Sequence, residues 1–542
     1  MNAEFTYRVS WNGFPFCTLI AVFAFCPGLT SNLCCQTAST GALTGVTLDV
    51  SGALLPGVSI KATKDDGNET RLTVSDGEGS FALLFLPPGS YHLQADKSDF
   101  EPLSLSALRI SVTETLGLEL HLHLATRVER VRVSSESAMV QTDSSALGRV
   151  FNETAIRQLP LVTRNFTQLT GLSPGVAVGV YNAGELGSGG TALSQVGASN
   201  DGVFVHGSRS YDNNWQLDGV SVSDVLASGG ASGGIPIPNP DSLQEFKVQT
   251  GLYDASFGRA AGANVSLITK AGTNHYYGTL FEYLRNNVLN ANDFFLNQTG
   301  RPRPDLKQNQ FGAALGGPIE KDRLLAFASY QGTRQVNGLA AGQARIGCAA
   351  SLSEPPITND RSPAALGRLF GGMNGALGGV AIKSDGSNIN PVALALLNFK
   401  PPDGILLIST PQTVDPAKPF ASSGFSSFSL PCSFDEDQGL ANLDYVASKN
   451  SRIAARFFIA RSDQLVTVPG SGRNPVANTR GFDSAGGSDF IVFSLAHTYI
   501  ASSAFLNDAR LGFVRTKTRS GSQAPFKWSD VGAAEGEMND NN

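Results

Sequence analysis

A run of single-residue alternation in the C-terminal half constrains this chain most. Ile453, Ala455, Phe457 and Ile459 fall on one side of an extended backbone, with Arg452 and Arg456 on the other. Ile491, Phe493 and Leu495 alternate in the same way with Val492, Ser494 and Ala496, and Ala509, Leu511 and Phe513 with Asp508, Arg510 and Gly512. A period of two belongs to strands with unlike faces, because successive side chains leave opposite sides of the pleat. Two architectures produce it: a soluble sheet with one buried face, and a membrane barrel wall with lipid outside and a lumen inside. Composition favours strands and turns over charged helices, since Gly is 59 of 542 residues and charged residues are only 16%. No run of 18 apolar residues follows the N-terminus, which argues against a membrane helix but not against a barrel. With a net charge of -6 and no basic stripe or aromatic stacking platform, nothing recommends nucleic acid as a partner.

The first 38 residues read as an export signal. Arg8 supplies a positive charge and 14–25 an apolar core too short to span a bilayer, with cleavage expected between 33 and 39. Cys34 and Cys35 follow Leu33, but the positions before them lack the small residues a lipid-anchor site uses. Removal of the signal takes Cys17 and Cys26, and Cys34 and Cys35 with cleavage beyond them, which leaves Cys348 and Cys432 as an even pair in an exported chain. That pair suits a disulfide closing a long loop, and two unrelated thiols fit the sequence as well.

Residues 41–125 change to short β-segments punctuated by turns, at 43–50, 58–63, 71–75, 80–84, 91–95, 104–111 and 117–124. Their spacing is that of an immunoglobulin-like or transthyretin-like β-sandwich, with Ser51-Gly52, Pro56-Gly57, Asp66-Gly67, Asp76-Gly77 and Pro88-Gly89 at the turns. GVTLDVSGALLPGVSI followed by TVSDGEGSFALLFLPPGSYHLQADKSDF resembles the carboxypeptidase-regulatory-like domain, which implies a binding or spacer module and no peptidase. His121 and His123 alternate along one strand without a nearby third ligand, so no metal site is expected, nor any cofactor.

The linker 126–140 holds the alternating run Val128, Glu129, Arg130, Val131, Arg132 and Val133, which could add as a strand to a partner's exposed sheet edge or serve as a plain final strand or connector. Beyond it, Asn152 is placed to cap a short helix that ends before Leu159-Pro160. LPLVTRNFTQLTGLSPGV, then VFVHGSRSYDNNWQLDGVSV, then PDSLQEFKVQTGLYDASFGRAAGANVSLITKAGTNHYYG occur in that order. By physics alone the last stretch is a small α/β unit: an amphipathic segment at 243–248, a Gly-rich turn, an apolar strand at 264–269 and a turn at 272–274. Together these motifs resemble the plug of TonB-dependent outer-membrane receptors, in the Oar-like branch that carries a carboxypeptidase-regulatory-like domain in front. The resemblance implies a plug over 141–274, a box for a periplasmic TonB-like energy transducer at 128–133, and an outer-membrane location. Arg209, Tyr211, Asp212, Asn213, Asn214 and Trp215 gather donors, acceptors and aromatic faces, as a sugar or peptide site would. A structural role fits the same cluster, and Asp218-Gly219 reads as a turn.

From 275 onward the resemblance implies a barrel in contact with outer-membrane lipid, interrupted by a Gly-, Pro- and Ser-rich loop at 337–436 with few strands. A plugged transporter barrel has about 22 strands, and outside that loop 275–542 has room for about seven or eight of about 10 residues each. The expected fold is therefore mainly β: a sandwich, a small α/β plug and the first strands of an incomplete antiparallel transmembrane barrel. Three functions follow. A receptor would bind an extracellular oligosaccharide, peptide or chelate and import it with inner-membrane energy. A non-transporting surface-binding or adhesion protein, or a non-functional receptor fragment, is the alternative. An enzyme is not expected, as no GxSxG, HExxH or phosphate loop occurs.

Overall fold

The structure, a computed structural model, describes residues 39–533 apart from 126–131, 134–145, 179–202, 224–236, 339–348, 468–480 and stretches of at most three residues. The expected signal segment 1–38 and Tyr211 lie outside the described residues. No described helix is long and apolar enough to cross a membrane, which says nothing of a β-barrel.

The first unit is a two-sheet sandwich. Its strands are β1 (Gly41–Asp49), β2 (Ser59–Lys64), β3 (Thr70–Val74), β4 (Ser80–Leu86), β5 (Gly89–Asp96), β6 (Leu103–Ile110), β7 (Thr115–Leu122) and β8 (Arg132–Val133). One sheet runs β4-β1-β7 and the other β3-β2-β5-β6-β8. Alternation fills the space between them: Ile60 and Ala62 from β2, Tyr91, Leu93 and Ala95 from β5, and Leu116, Leu120 and Leu122 from β7 are all buried. All seven expected segments are strands. The turn at Asp76 is held by its carboxylate, which accepts from Glu78 N and Ser80 N, and the left-handed residue there is Gly79, not Gly77.

A second unit is built on a five-stranded sheet, with a separate hairpin of β10 and β11. In chain order the strands are β9 (Leu147–Asn152), β10 (Val176–Val178), β11 (Val203–Val205), β12 (Asn214–Leu217), β13 (Val220–Ser221), β14 (Leu243–Gly251) and β15 (Asn264–Thr269). The sheet order is β13-β12-β15-β14-β9. Asn152 caps the helix Glu153–Gln158 by accepting from Ala155 N, as its sequence suggests. The core stacks Phe151 on Phe246, ring centroids 4.6 Å apart, with Phe166 and Trp215 meeting edge to face. Residues 243–248, expected to be an amphipathic segment, lie in β14 and are covered on both sides. Phe246 and Val248 join the core, while Glu245 and Lys247 are buried on the opposite face, beneath the sandwich.

The third unit is a seven-stranded antiparallel meander in the order β16-β17-β18-β22-β23-β24-β25. It begins with β16 (Tyr277–Asn286), β17 (Leu306–Glu320) and β18 (Leu324–Asn337). Next comes an excursion containing β19 (Ala349–Glu354), β20 (Thr413–Val414) and β21 (Gly424–Ser429), followed by β22 (Cys432–Ser448), β23 (Ser451–Val466), β24 (Ser484–Ser502) and β25 (Phe505–Ser522). The loop expected at 337–436 thus differs in two ways: it carries its own sheet and two helices, and 432–436 already belong to β22. Ser362 and Asn390 cap those helices, each of which has proline at its first turn, so local capping suffices to form them.

Register decides which sheet this is. Ile459 pairs with Ile491, Phe457 with Phe493 and Phe493 with Phe513, so the apolar positions of successive strands form continuous rows. That face is exposed, with Leu280, Leu315, Leu511 and Phe513 each more than half accessible. The opposite face buries Gln308, Gln310, Gln331, Thr333, Gln335, Gln438, Asn442 and Ser488. An exposed apolar face over a polar interior inverts the soluble pattern and is that of a membrane barrel wall. Only a few residues separate β17 from β18, β22 from β23 and β24 from β25 at one end, while the connections at the other end are long.

Candidate functional site

The central sheet touches the wall through polar groups. Arg164, in the left-handed backbone region at φ 56°, projects its guanidinium to Asp241 Oδ2 at 2.5 Å and to Gln331 Oε1 of β18 at 3.3 Å. The rings of Phe281 and Tyr283 from β16 lie 4.4 and 4.3 Å from it. Asn239 N donates to Gln438 Oε1, and Asn442 Nδ2 donates to Thr269 Oγ1 and Lys270 O, both at 2.7 Å. Apolar wall residues Phe327, Leu440, Phe458 and Val492 complete the contact. Arg164 falls within LPLVTRNFTQLTGLSPGV, where the sequence alone gives it no role. Its signal was a lone charge between apolar stretches, and its wall partner lies 167 positions away.

The sandwich packs against the central sheet and against the wall near its short-turn end. Val112 N donates to Glu245 Oε1 at 2.6 Å, Arg109 pairs with Glu245 Oε2 at 3.3 Å, and Lys247 Nζ donates to Thr113 O at 3.0 Å. Burial pushes the Glu245 carboxyl up from its usual range, only partly offset by Val112 N and Arg109, and the same burial pushes the Lys247 ammonium down. Arg452 of β23 bridges Glu69 of the sandwich and Asp444 of β22, at 2.8 Å each, and Arg456 joins Asp444 at 2.9 Å. Arg510 of β25 donates to Ser39 Oγ and to Asp218 O. A cavity of about 350 Å³ lies where the three units meet, lined by Lys64, Glu69, Glu153, Lys270, Asp444 and Arg452 among others.

The expected ligand cluster splits. Arg209 is exposed, and its backbone N–H donates to Asp212 Oδ2. Asn213 is buried, donating to Val203 O at 2.7 Å and accepting from Ala263 N at 2.8 Å. Asn214 Nδ2 donates to Asn264 Oδ1, and Trp215 is 2% exposed in the core. These three side chains hold the sheet together. Asp218 closes its turn by accepting from Thr269 N and Oγ1.

Of the strand-adding candidates, Val128, Glu129, Arg130 and Val131 lie outside the described residues. Arg132 and Val133 form β8, parallel to Ser104 and Leu105 of β6. Cys432 is disulfide-bonded, while Cys348 lies outside the described residues. Pairing of Ala349 with Ser429 brings the chain next to Cys348 close to Cys432 in sequence. Among the described residues no group of three or more His, Cys, Asp or Glu is placed to hold a metal.

A mostly polar interior, an apolar exterior and a sheet seated against the inner face define an outer-membrane barrel protein carrying an internal domain. The description "Outer membrane beta barrel domain" matches residues 268–541, and the chain belongs to that family; "Carboxypeptidase regulatory-like domain" matches 42–123. The chain is a homologue of the TonB-dependent transporter Oar of Myxococcus xanthus, 27% identical over 303 residues, which is 52% of this chain and 26% of that protein. It is located in the outer membrane. Similar solved structures include the outer membrane transporter YddB of Escherichia coli (12% identity, TM-score 0.39, 69% of this chain and 39% of that one). A mutant ferric enterobactin receptor PfeA of Pseudomonas aeruginosa is another (12%, 0.40, 69% and 41%). The chain thus spans about a quarter of the curated relative. The three proteins named are transporters or receptors.

Proposed function

We propose that the chain acts within a TonB-dependent receptor that binds an oligosaccharide, peptide or chelate outside the cell and imports it. Residues 141–274 serve as the plug, 41–125 as a binding or spacer module, and 128–133 as the segment a periplasmic TonB-like transducer pulls by strand addition. Arg209, Tyr211 and Asp212 are the members of the predicted cluster assigned to ligand, and Cys348 bonds to Cys432 to close the long extracellular loop.

The observation that carries this reading is the contact between central sheet and wall. Arg164, Asn239 and Asn442 make directional polar bonds there that water can replace, so the domain is held in place without being fused to the barrel. The test is cysteine scanning of 128–133 in the full-length protein, with oxidative cross-linking to a cysteine-bearing transducer domain. Adducts at alternate positions are expected. A flat absence of adducts, with the transducer adduct of a known receptor formed in the same cells, contradicts the proposal.

A further inference from the structure

The face of β14 turned away from the central core is polar and yet buried. Glu245 is 1% exposed, Lys247 4% and Gln249 3%. Their cross-strand partners are Ile268, Ser266 and Asn264, so five of these six positions are polar and only Ile268 is apolar. A strand face meant for permanent burial is ordinarily apolar, because each buried polar group must find a partner. Here the cover is poorly matched. Gln249 Oε1, Asn264 Nδ2 and Ser266 Oγ have no hydrogen-bond partner among the described residues.

The groups that do cover this face come from the sandwich. Backbone atoms of Val112 and Thr113 meet the two opposite charges of β14, and Gln244 Nε2 donates to Pro88 O. Water can serve a carboxylate and an ammonium as well as a backbone amide and carbonyl do, so separation strands neither charge. A second attachment lies at the wall, where Glu69 meets Arg452, and a third where Asp66 O accepts from Asn274 N at 3.3 Å. Every one of these contacts is a polar bond between units, and the Glu69 link is anchored by Asp444 and Arg456 behind it.

We propose that the sandwich is a reversible latch: docked on the polar face of β14 and bolted to the wall by Glu69–Arg452, it holds the central sheet in place and must lift before that sheet can move. The docking part stands on the contacts alone, whereas the consequence for movement rests on reading the central sheet as a plug.

The experiment uses the full-length protein in nanodiscs and measures hydrogen exchange across 109–114, which contains the Val112 amide. Glu69→Ala and Arg452→Ala are each expected to speed exchange there by about tenfold or more, and the double variant to be no faster than the faster single, because both remove the same bond. Slow exchange maintained in the β2 and β5 core amides shows that the sandwich stays folded. Unchanged protection in both single variants, or losses that multiply in the double variant, overturns the docking. A second arm joins cysteines at 69 and 452 with a short bismaleimide and pulls on a handle attached at 128. The joined protein is expected to release the central sheet at higher force than the unjoined one, and equal forces overturn the latch while leaving the receptor reading intact. Failure of the transducer cross-link with docking confirmed sinks the receptor reading instead.

Discussion

Glu69 and Arg452 lie 383 positions apart in the chain and 2.8 Å apart in space, tying the first unit to the wall of the third. Burial alone would raise the Glu69 carboxyl, but Arg452, Arg71 and Lys64 together outweigh it and hold the group below its usual 4.5. A depressed value means that its stabilising contribution is complete above 4.5 and is lost as pH falls through the lower value. Glu245 behaves oppositely: its carboxyl is raised by burial, so its contribution is complete below 4.5 and is lost as pH rises through the raised value. Protection of 109–114, corrected for intrinsic exchange, is therefore expected to fall at both ends of the acid-to-neutral range. Glu245→Gln keeps an oxygen for Val112 N and should abolish only the loss on the neutral side. Identical profiles for the two proteins would contradict this assignment.

Arg164→Ala leaves Asp241 buried without its strongest partner. Breaking a buried pair from one side costs about 3 kcal/mol. The loss should appear as faster exchange of the Asp241 and Ser242 amides and easier proteolysis of the central sheet, with the barrel strands still protected. Arg164→Lys restores charge without the planar contact to Phe281 and Tyr283 and should recover only part of the loss.

Asn213 and Arg209 separate structure from binding. Asn213→Ala deprives Val203 O and Ala263 N of their partner, at a cost of about 1–3 kcal/mol in denaturant melts of the central sheet. Arg209→Ala should leave that stability within about 0.5 kcal/mol. Equal losses in the two variants would contradict the split.

Leu511→Arg places a charge on the exposed apolar face. Near the bilayer midplane such a change costs about 2–4 kcal/mol, falling towards the interfaces. Folding titrations into lipid vesicles measure it, and a neutral result would place Leu511 outside the membrane.

Much of this architecture was legible because it is local. The rows through Ile459, Ile491, Phe457 and Phe493 follow from period-two alternation, and the sandwich strands from their turn residues. What failed depends on distant partners. The 243–248 segment gave no sign of β14, because its polar face is covered by a unit more than a hundred residues away. For Asn213, Asn214 and Trp215 the sequence left a binding and a structural role open, since polar and aromatic residues look alike whether they face ligand or satisfy each other inside. Arg164 gained its role only once Gln331, Phe281 and Tyr283 were brought beside it. The sheet at β19–β21 was hidden by the turn-rich composition of the loop that contains it.

In the proposed receptor the wall has its long connections outside the cell and its short turns towards the sandwich. Single cysteines in a background with Cys348 and Cys432 retained, placed at Asn290 and Asp415 for the long connections and at Lys321 and Lys449 for the short turns, test it in whole cells with a membrane-impermeant maleimide. The account predicts labelling at 290 and 415 in intact cells, and at 321 and 449 only after the outer membrane is permeabilised. Equal labelling of all four in intact cells, or the reverse order, would contradict it.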